Sequence, residues 1–458
     1  MEMGCIMLKF AKVCLAAFAL FWADSLFVQA QSVIVVLPSG SRDGQQASDN
    51  KVTATLLEQE KSAAPDETAK PQDKLATIDQ TLDTISKNLT ITTADPNIKM
   101  VLGGTIDLDF IFSAAREVAP GTPFFLTSGP APGFRQQTFD ANARPSTIFA
   151  FISGPELGSF QSSAVIMACF YSSSLIQDLY GLLPVQAYAQ LKNDDWRFAA
   201  GLQFDIFNPL NPTVLPFSYL AGSGNAGAGF PAQFRVERYF HPDDDTQITL
   251  TAGLSDPLPT TVNNLTISED NGWPNVECRA ALALGELTGE GPDAKRPFEL
   301  GISGLIGQIR TGTPPVKQVI AGVWGLGSDI RWAITERFGA QGEFFVGEAL
   351  GAYTAGILQN TNFVTFAGVH TTGGWVELYY YLVPEKLHTH WGYGIDDPLN
   401  RDLAPGQPLR NDTWFANLIW DIGKHFRTGI EFTYRKTAYS LVANNEGFGL
   451  QTQVQFKF

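Results

Sequence analysis

The chain reads as an all-β protein, a transmembrane antiparallel β-barrel of about 16 strands with a short amino-terminal helix on the periplasmic side. Three observations predict this. From Ile98 onward, apolar and polar residues alternate with period two, the repeat of strands with one dry and one wet face. The connections between those segments alternate short and long, as periplasmic turns and external loops do in a membrane barrel. The terminal segment puts Phe448, Leu450, Val454, Phe456 and Phe458 on one parity and Gly449, Gln451, Gln453, Gln455 and Lys457 on the other, broken only by Thr452.

Taken in order, the first element is a signal peptide, residues 1–30. Lys9 and Lys12 precede an apolar run from Val13 to Phe27, and Val28-Gln29-Ala30 supplies the small-residue cleavage site. No other stretch approaches ~20 uninterrupted apolar residues, which excludes a helical membrane protein. Cys169 and Cys278 alone lie beyond the signal, too few for a disulfide framework.

Residues 31–96 form a flexible linker, largely polar and rich in Pro, Ala and mixed charge as far as Gln72. Within it Leu75, Ile78, Leu82, Ile85 and Leu89 recur at spacings of three and four, which predicts a helix over 73–89. Two readings of that helix stand: an amphipathic helix on the barrel rim, or a small coiled coil supported by the tethering of a trimer.

The barrel follows over residues 97–458. Met100–Phe112 opens it, with Leu102, Ile106, Leu108, Phe110 and Phe112 on one parity and Thr105, Asp107 and Asp109 on the other. Later strands are predicted at 139–152, 160–171, 182–191, 196–206, 232–240, 247–255, 275–284, 298–309, 318–335, 340–348, 372–382, 386–396, 413–422 and 427–437, with 448–458 as the sixteenth. The even-numbered connections are short, such as 192–195, 336–339, 383–385 and 423–426. The odd-numbered ones are mostly long, including 113–138, 207–231, 256–274, 349–372 and 397–411. A soluble sandwich has no reason to sort loop length by parity.

A barrel of roughly 16 strands encloses a water-filled lumen, whereas ~8 strands would pack shut. Parity assigns the lining residues: Asp107, Asp109, Asn142, Arg144, Arg197, Gln203, Asp205, Arg235, Glu237, Arg279, Arg331, Glu343 and Arg435 all point inward. So do Arg427, Glu277, Asp329, Glu377, Asp396, Asp421 and Glu431. Opposed charges on one inner wall orient dipolar solutes, and the same residues can equally brace the wall as ion pairs.

With the barrel argued, Trp196-Arg-Phe-Ala-Ala-Gly-Leu-Gln-Phe-Asp-Ile-Phe-Asn-Pro209 resembles the strand-into-third-loop segment of DcaP-like porins. Phe139–Arg144, Ala232–Arg235, Gly342–Phe345 with Gly351–Tyr353, and Gly392–Pro398 resemble that family in the same order. The resemblance implies a homotrimer of sixteen-stranded outer-membrane channels passing small, often anionic, dicarboxylate-like solutes. The terminal Phe456 and Phe458 resemble the assembly signal of bacterial outer-membrane proteins, which implies the barrel assembly machinery as a partner. One departure stands out, since Phe207–Pro231 contains no charged residue. Selectivity then rests on the wall, where acids outnumber bases and lean toward cations while the family leans toward anions. A cation-leaning porin and a non-conducting barrel that anchors the envelope are the alternatives.

Composition excludes other classes. A formal charge of −15 with 31 Lys plus Arg suits neither nucleic acid nor polyphosphate. Glycine at 43 residues, 12% aromatic and 17% charged residues suit strands, turns and lipid-facing girdles instead. His388 and His390 share a face, but no third ligand accompanies them, so they are read as lumen lining and no metal or cofactor is expected. Asp243-Asp-Asp245 reads as a solvated turn. No phosphate loop or nucleophile elbow appears, and the chain is not read as an enzyme.

Overall fold

The computed structural model describes residues 90–92, 97–129, 133, 135–172, 179–256, 272–288, 295–311 and 319–458. The signal peptide and the 73–89 helix of the sequence reading lie outside the described residues. The strands are β1 (Thr90–Thr92), β2 (Lys99–Ser113), β3 (Thr138–Asn142), β4 (Thr147–Leu157), β5 (Phe160–Tyr171) and β6 (Tyr180–Lys192). Next come β7 (Trp196–Leu202), β8 (Ala232–Asp243), β9 (Thr246–Asp256), β10 (Asn275–Leu284), β11 (Phe298–Thr311) and β12 (Val319–Ala333). The last six are β13 (Phe338–Glu348), β14 (His370–Val383), β15 (Leu387–Pro398), β16 (Pro408–Ile422), β17 (Phe426–Tyr439) and β18 (Asn445–Lys457).

From β4 onward each strand pairs antiparallel with the next, and β18 closes the ring on β2 from Lys457↔Thr105 to Gly449↔Ser113. β3 and β4 share one crossing, because β3 pairs with Asp109–Ser113 and β4 with Lys99–Thr105 of the same strand. The barrel therefore has 16 crossings, each matching a predicted segment.

Three details differ from the sequence reading. The second crossing breaks at 143–146, since Pro145 has no N–H to give a ladder. There the Arg144 amide donates to Asn142 Oδ1 (3.0 Å) and the Ser146 amide to the Ala143 carbonyl (3.2 Å), so Arg144 sits in the break and not on a strand. The fifth crossing stops at Leu202, which places Gln203 and Asp205 on the loop that follows. Finally, β1 belongs to the sheet although the reading put it in the linker. It pairs Thr90↔Val101 and Thr92↔Lys99, covering the edge of β2 that β18 is too short to reach.

Register follows the predicted parity. On β2 the outward Ile106 is 59% exposed while the inward Asp107 is 2% exposed. The outer face carries a band of aliphatic and aromatic residues, including Phe344, Val376, Trp414, Ile430, Phe432 and Val454. A wet interior inside a greasy exterior is the inverse of a soluble barrel, and it matches a hydrocarbon surround. At the seam a Cβ on Gly104 would lie 2.8 Å from the Phe458 ring and 2.4 Å from the Thr147 carbonyl oxygen. The ring thus covers a bare stretch of backbone where the barrel closes.

Candidate functional site

The lumen is occupied by three inward-folded loops, the first (114–137), the third (203–231) and the sixth (349–369). The third loop has no charged residue from Phe207 to Pro231, yet its backbone N–H groups need partners inside the barrel. Wall carboxylates supply them. Ile206 N–H donates to Glu277 on β10 (3.2 Å), Leu210 to Glu343 on β13 (2.6 Å), Thr213 to Glu377 on β14 (2.6 Å) and Leu215 to Glu431 on β17 (2.9 Å). On its return the loop gives the Gly224 N–H to Asp396 on β15 (3.2 Å). Ser303 Oγ on β11 accepts the Asn208 N–H (3.2 Å) between the first two anchors. The loop thus walks around half the inner wall, held by a carboxyl at five of these steps and by a hydroxyl at the sixth.

Apolar contacts complete the fastening. Phe207 packs with Leu305, Phe345 and Leu350, and its ring meets Tyr353 edge-on at 6.0 Å. Phe124 and Phe125 of the first loop pack on Ala221 of the third and on Ile357 and Leu358 of the sixth. Asp396 ties two loops at once, since its other oxygen accepts the Ile357 N–H (2.7 Å).

The five anchoring acids, between 0% and 5% exposed, are turned toward the loop and away from water. Each of them has an oxygen engaged by a loop amide. Sequence reasoning placed them inward but, apart from Glu343, did not place them at the site. The available signal was the pairing of an uncharged loop, rich in unpaired N–H groups, with a surplus of inward acids.

The remaining predicted lining residues fall into two groups. Enclosed ones brace loops or the seam. Arg144, 2% exposed, donates to Asn142 Oδ1 (2.7 Å) and Asp140 (2.9 Å), while Asn142 donates to the Gly121 carbonyl (2.7 Å). Arg435 pairs with Glu117 of the first loop at 2.7 Å. Asp107 and Asp109 accept from Gln455 (2.7 Å) and Gln453 (3.0 Å) across the seam.

The second group surrounds a recess of about 210 Å³ on the short-turn side of the third loop, lined in part by Asp205, Arg235, Glu237, Arg279 and Glu299. Two ion-pair clusters meet there. Glu237 lies between Arg197 (2.5 Å) and Arg235 (3.6 Å). Glu299 lies between Arg279 (2.8 Å) and Arg331 (3.0 Å), with Asp329 also on Arg279 (2.5 Å). Gln203 accepts from Arg197 (3.1 Å). Burial and the nearby Glu277 carboxylate hold Asp205 well above the usual carboxylate range, against the pull of Arg235 and the Gly229 amide.

Among the described residues no group of three or more His, Cys, Asp or Glu side chains is placed to hold a metal ion. His388 and His390 are instead linked to each other and to acids, as described below.

Comparison of the coordinates with solved structures gives one informative likeness. The outer-membrane channel DcaP of Acinetobacter baumannii superposes with a TM-score of 0.60 at 14% identity, over 80% of this chain and 99% of that one. This chain has the fold of that channel. OprB of Pseudomonas putida follows at a TM-score of 0.49 and 10% identity, over 78% of this chain and 94% of that one. OmpT, an outer membrane protein of Vibrio cholerae, gives 0.47 and 10%, over 80% and 99%. No family model and no curated protein matches the sequence.

Proposed function

We propose that this protein is an outer-membrane porin through which small hydrophilic solutes diffuse, with a preference for anions of the dicarboxylate kind. The observation that carries the preference is the charge left facing the recess. Arg235 and Arg279 line it beside Glu237 and Glu299, and Arg197 and Arg331 hold the far sides of those two carboxylates. A guanidinium fork pairs with a carboxylate through two hydrogen bonds, which suits these arginines to an anionic solute. The likeness in fold to DcaP is consistent with this reading.

The homotrimer reading has support on the outer face of β5–β7. Ala164, Ala189 and Ala200 lie in register there and leave a shallow apolar groove flanked by Leu191, Phe198 and Phe234. A second copy of the barrel fits such a face more closely than lipid chains do. Outer-membrane lipid, the barrel assembly machinery and export by a cleaved signal peptide belong to the same proposal.

Reversal potential under a salt gradient tests the selectivity. The wild type should be anion-selective, and Arg197→Gln with Arg235→Gln should move the reversal potential toward cations. An unmoved reversal potential would show the arginines to be struts alone. A protein that inserts into bilayers and stays silent would be an envelope anchor and no porin.

A further inference from the structure

Behind the third loop runs a chain of side-chain hydrogen bonds that the porin reading does not use. Asp421 Oδ2 on β16 faces His388 Nε2 (3.2 Å), His388 Nδ1 faces His390 Nε2 (2.7 Å), and His390 Nδ1 faces Glu377 Oε1 (2.6 Å). The other oxygen of Glu377 accepts the Thr213 N–H of the third loop (2.6 Å), and Asn417 Nδ2 donates to the Thr213 carbonyl (2.7 Å). The chain therefore joins Asp421, beside the short 423–425 turn, to an anchor of the loop.

Counting protons fixes the state of this chain. With both end carboxyls ionised, both ends are acceptors; Asp421 also receives Arg427 (2.7 and 3.0 Å), and the second oxygen of Glu377 receives Thr213. Three hydrogen bonds need three N–H protons, whereas two neutral imidazoles carry two. The pair must hold one extra proton between them. Remove it, and one of the three links has no donor. Add another, and two N–H groups oppose each other at 2.7 Å between two cations. The whole chain exists in one protonation state only.

Other titratable and charged groups face the pair from the neighbouring strands. Tyr379 and Tyr381 of β14 stack beside His390 and His388, with ring centres at 6.0 and 5.3 Å. Lys457 of β18 lies 3.6 Å from Asp421, Arg331 of β12 faces Tyr379, and Glu431 of β17 lies beyond Glu377 with its own loop contact.

We propose that the His388–His390 pair is a proton switch that couples pH at the short-turn end of the barrel to the third loop through Glu377. Imidazoles change charge within the range a periplasm meets, unlike the other groups in the chain. Uptake of a second proton drives the rings apart, draws Glu377 from Thr213 and loosens the loop across the lumen. The inference rests on the porin reading, since it needs a current to gate.

The test is single-channel recording of the full protein in planar bilayers between about pH 7.5 and pH 5. In the wild type the closed-to-open ratio should rise on acidification by up to about tenfold per pH unit, the slope for one proton. His388→Gln cannot take the proton and should conduct at neutral pH with a flat pH response. Glu377→Gln keeps an acceptor for Thr213 but puts an amide N–H toward His390 in place of the carboxylate, which removes the need for the shared proton, and should flatten the response as well. Heat-modifiable migration on a gel confirms that each variant has folded. Acid closure of wild-type slope in both variants overturns the switch and leaves the porin standing, as does a wild type with no pH response. Absence of any current at any pH overturns both.

Discussion

Replacing Glu343 by alanine removes the carboxylate that accepts the Leu210 N–H at 2.6 Å and the Trp375 Nε1–H at 3.0 Å. Leaving a buried donor without its partner costs about 1–3 kcal/mol, and both donors are left so in an enclosed site. Ending the burial of a carboxylate offsets part of that loss. Only the Leu210 bond joins this carboxyl to the loop, so the attachment weakens by about 1–2 kcal/mol and the detached population rises roughly 5- to 30-fold. The other wall acids keep the loop inside the barrel, so the effect is local to residues 208–213. Glu343→Gln retains an acceptor for Leu210 but sets an amide N–H against Trp375, a loss of about 1 kcal/mol or somewhat more. The loop has no lysine or arginine but offers Leu210 within the freed segment to chymotrypsin, so cleavage after Leu210 in the folded barrel reads the detached population. The expected order is alanine fastest, glutamine between, and wild type slowest, with open-channel noise following the same order. Equal cleavage and equal noise in all three would refute the argument and assign the fastening to Phe207 and its neighbours.

Ile430→Arg or Leu450→Arg, on the outer face, should destabilise the lipid-embedded barrel by about 2–4 kcal/mol and so lower its urea midpoint, whereas Gln453→Arg or Thr433→Arg should alter conductance and leave the midpoint in place. Equal behaviour of the two sets would mean that the register is misassigned by one residue. Removing Phe458 breaks its paired hydrogen bonds with Gly104 (3.1 Å each) and uncovers the glycine at the seam, so less heat-modifiable barrel should form; an unchanged yield contradicts this. Asp205→Asn should stabilise the barrel. The raised folded-state pKa makes the wild type lose stability as pH climbs from the ordinary aspartate value toward the folded one, so the melting-temperature gap should widen with pH and then level off. A gap that is constant with pH would show that Asp205 is charged in the fold.

Parity and loop length were legible because both are local properties of the chain. Side chains alternate across a strand whatever the strand pairs with, so the inward Asp107, Arg235 and Glu431 and the outward Ile106, Ile430 and Leu450 could be assigned without knowing any neighbour. Short elements escaped for the same reason: three residues at Thr90–Thr92 carry no period, and the break at Arg144 depends on a single proline.

What each inward charge does was not legible. Arg144 and Arg235 look alike in sequence, yet one lies under the first loop and the other lines the recess. Glu277 and Glu431 meet loop amides that are 71 and 216 residues away in the chain. The His388–His390 chain likewise needs acids from the strands on both sides. Alternating residues determined by themselves that this chain forms a barrel with a charged interior. Only the tertiary structure decided which charges face solute, because a loop without charges claims its partners through the backbone, where side-chain pattern leaves no trace.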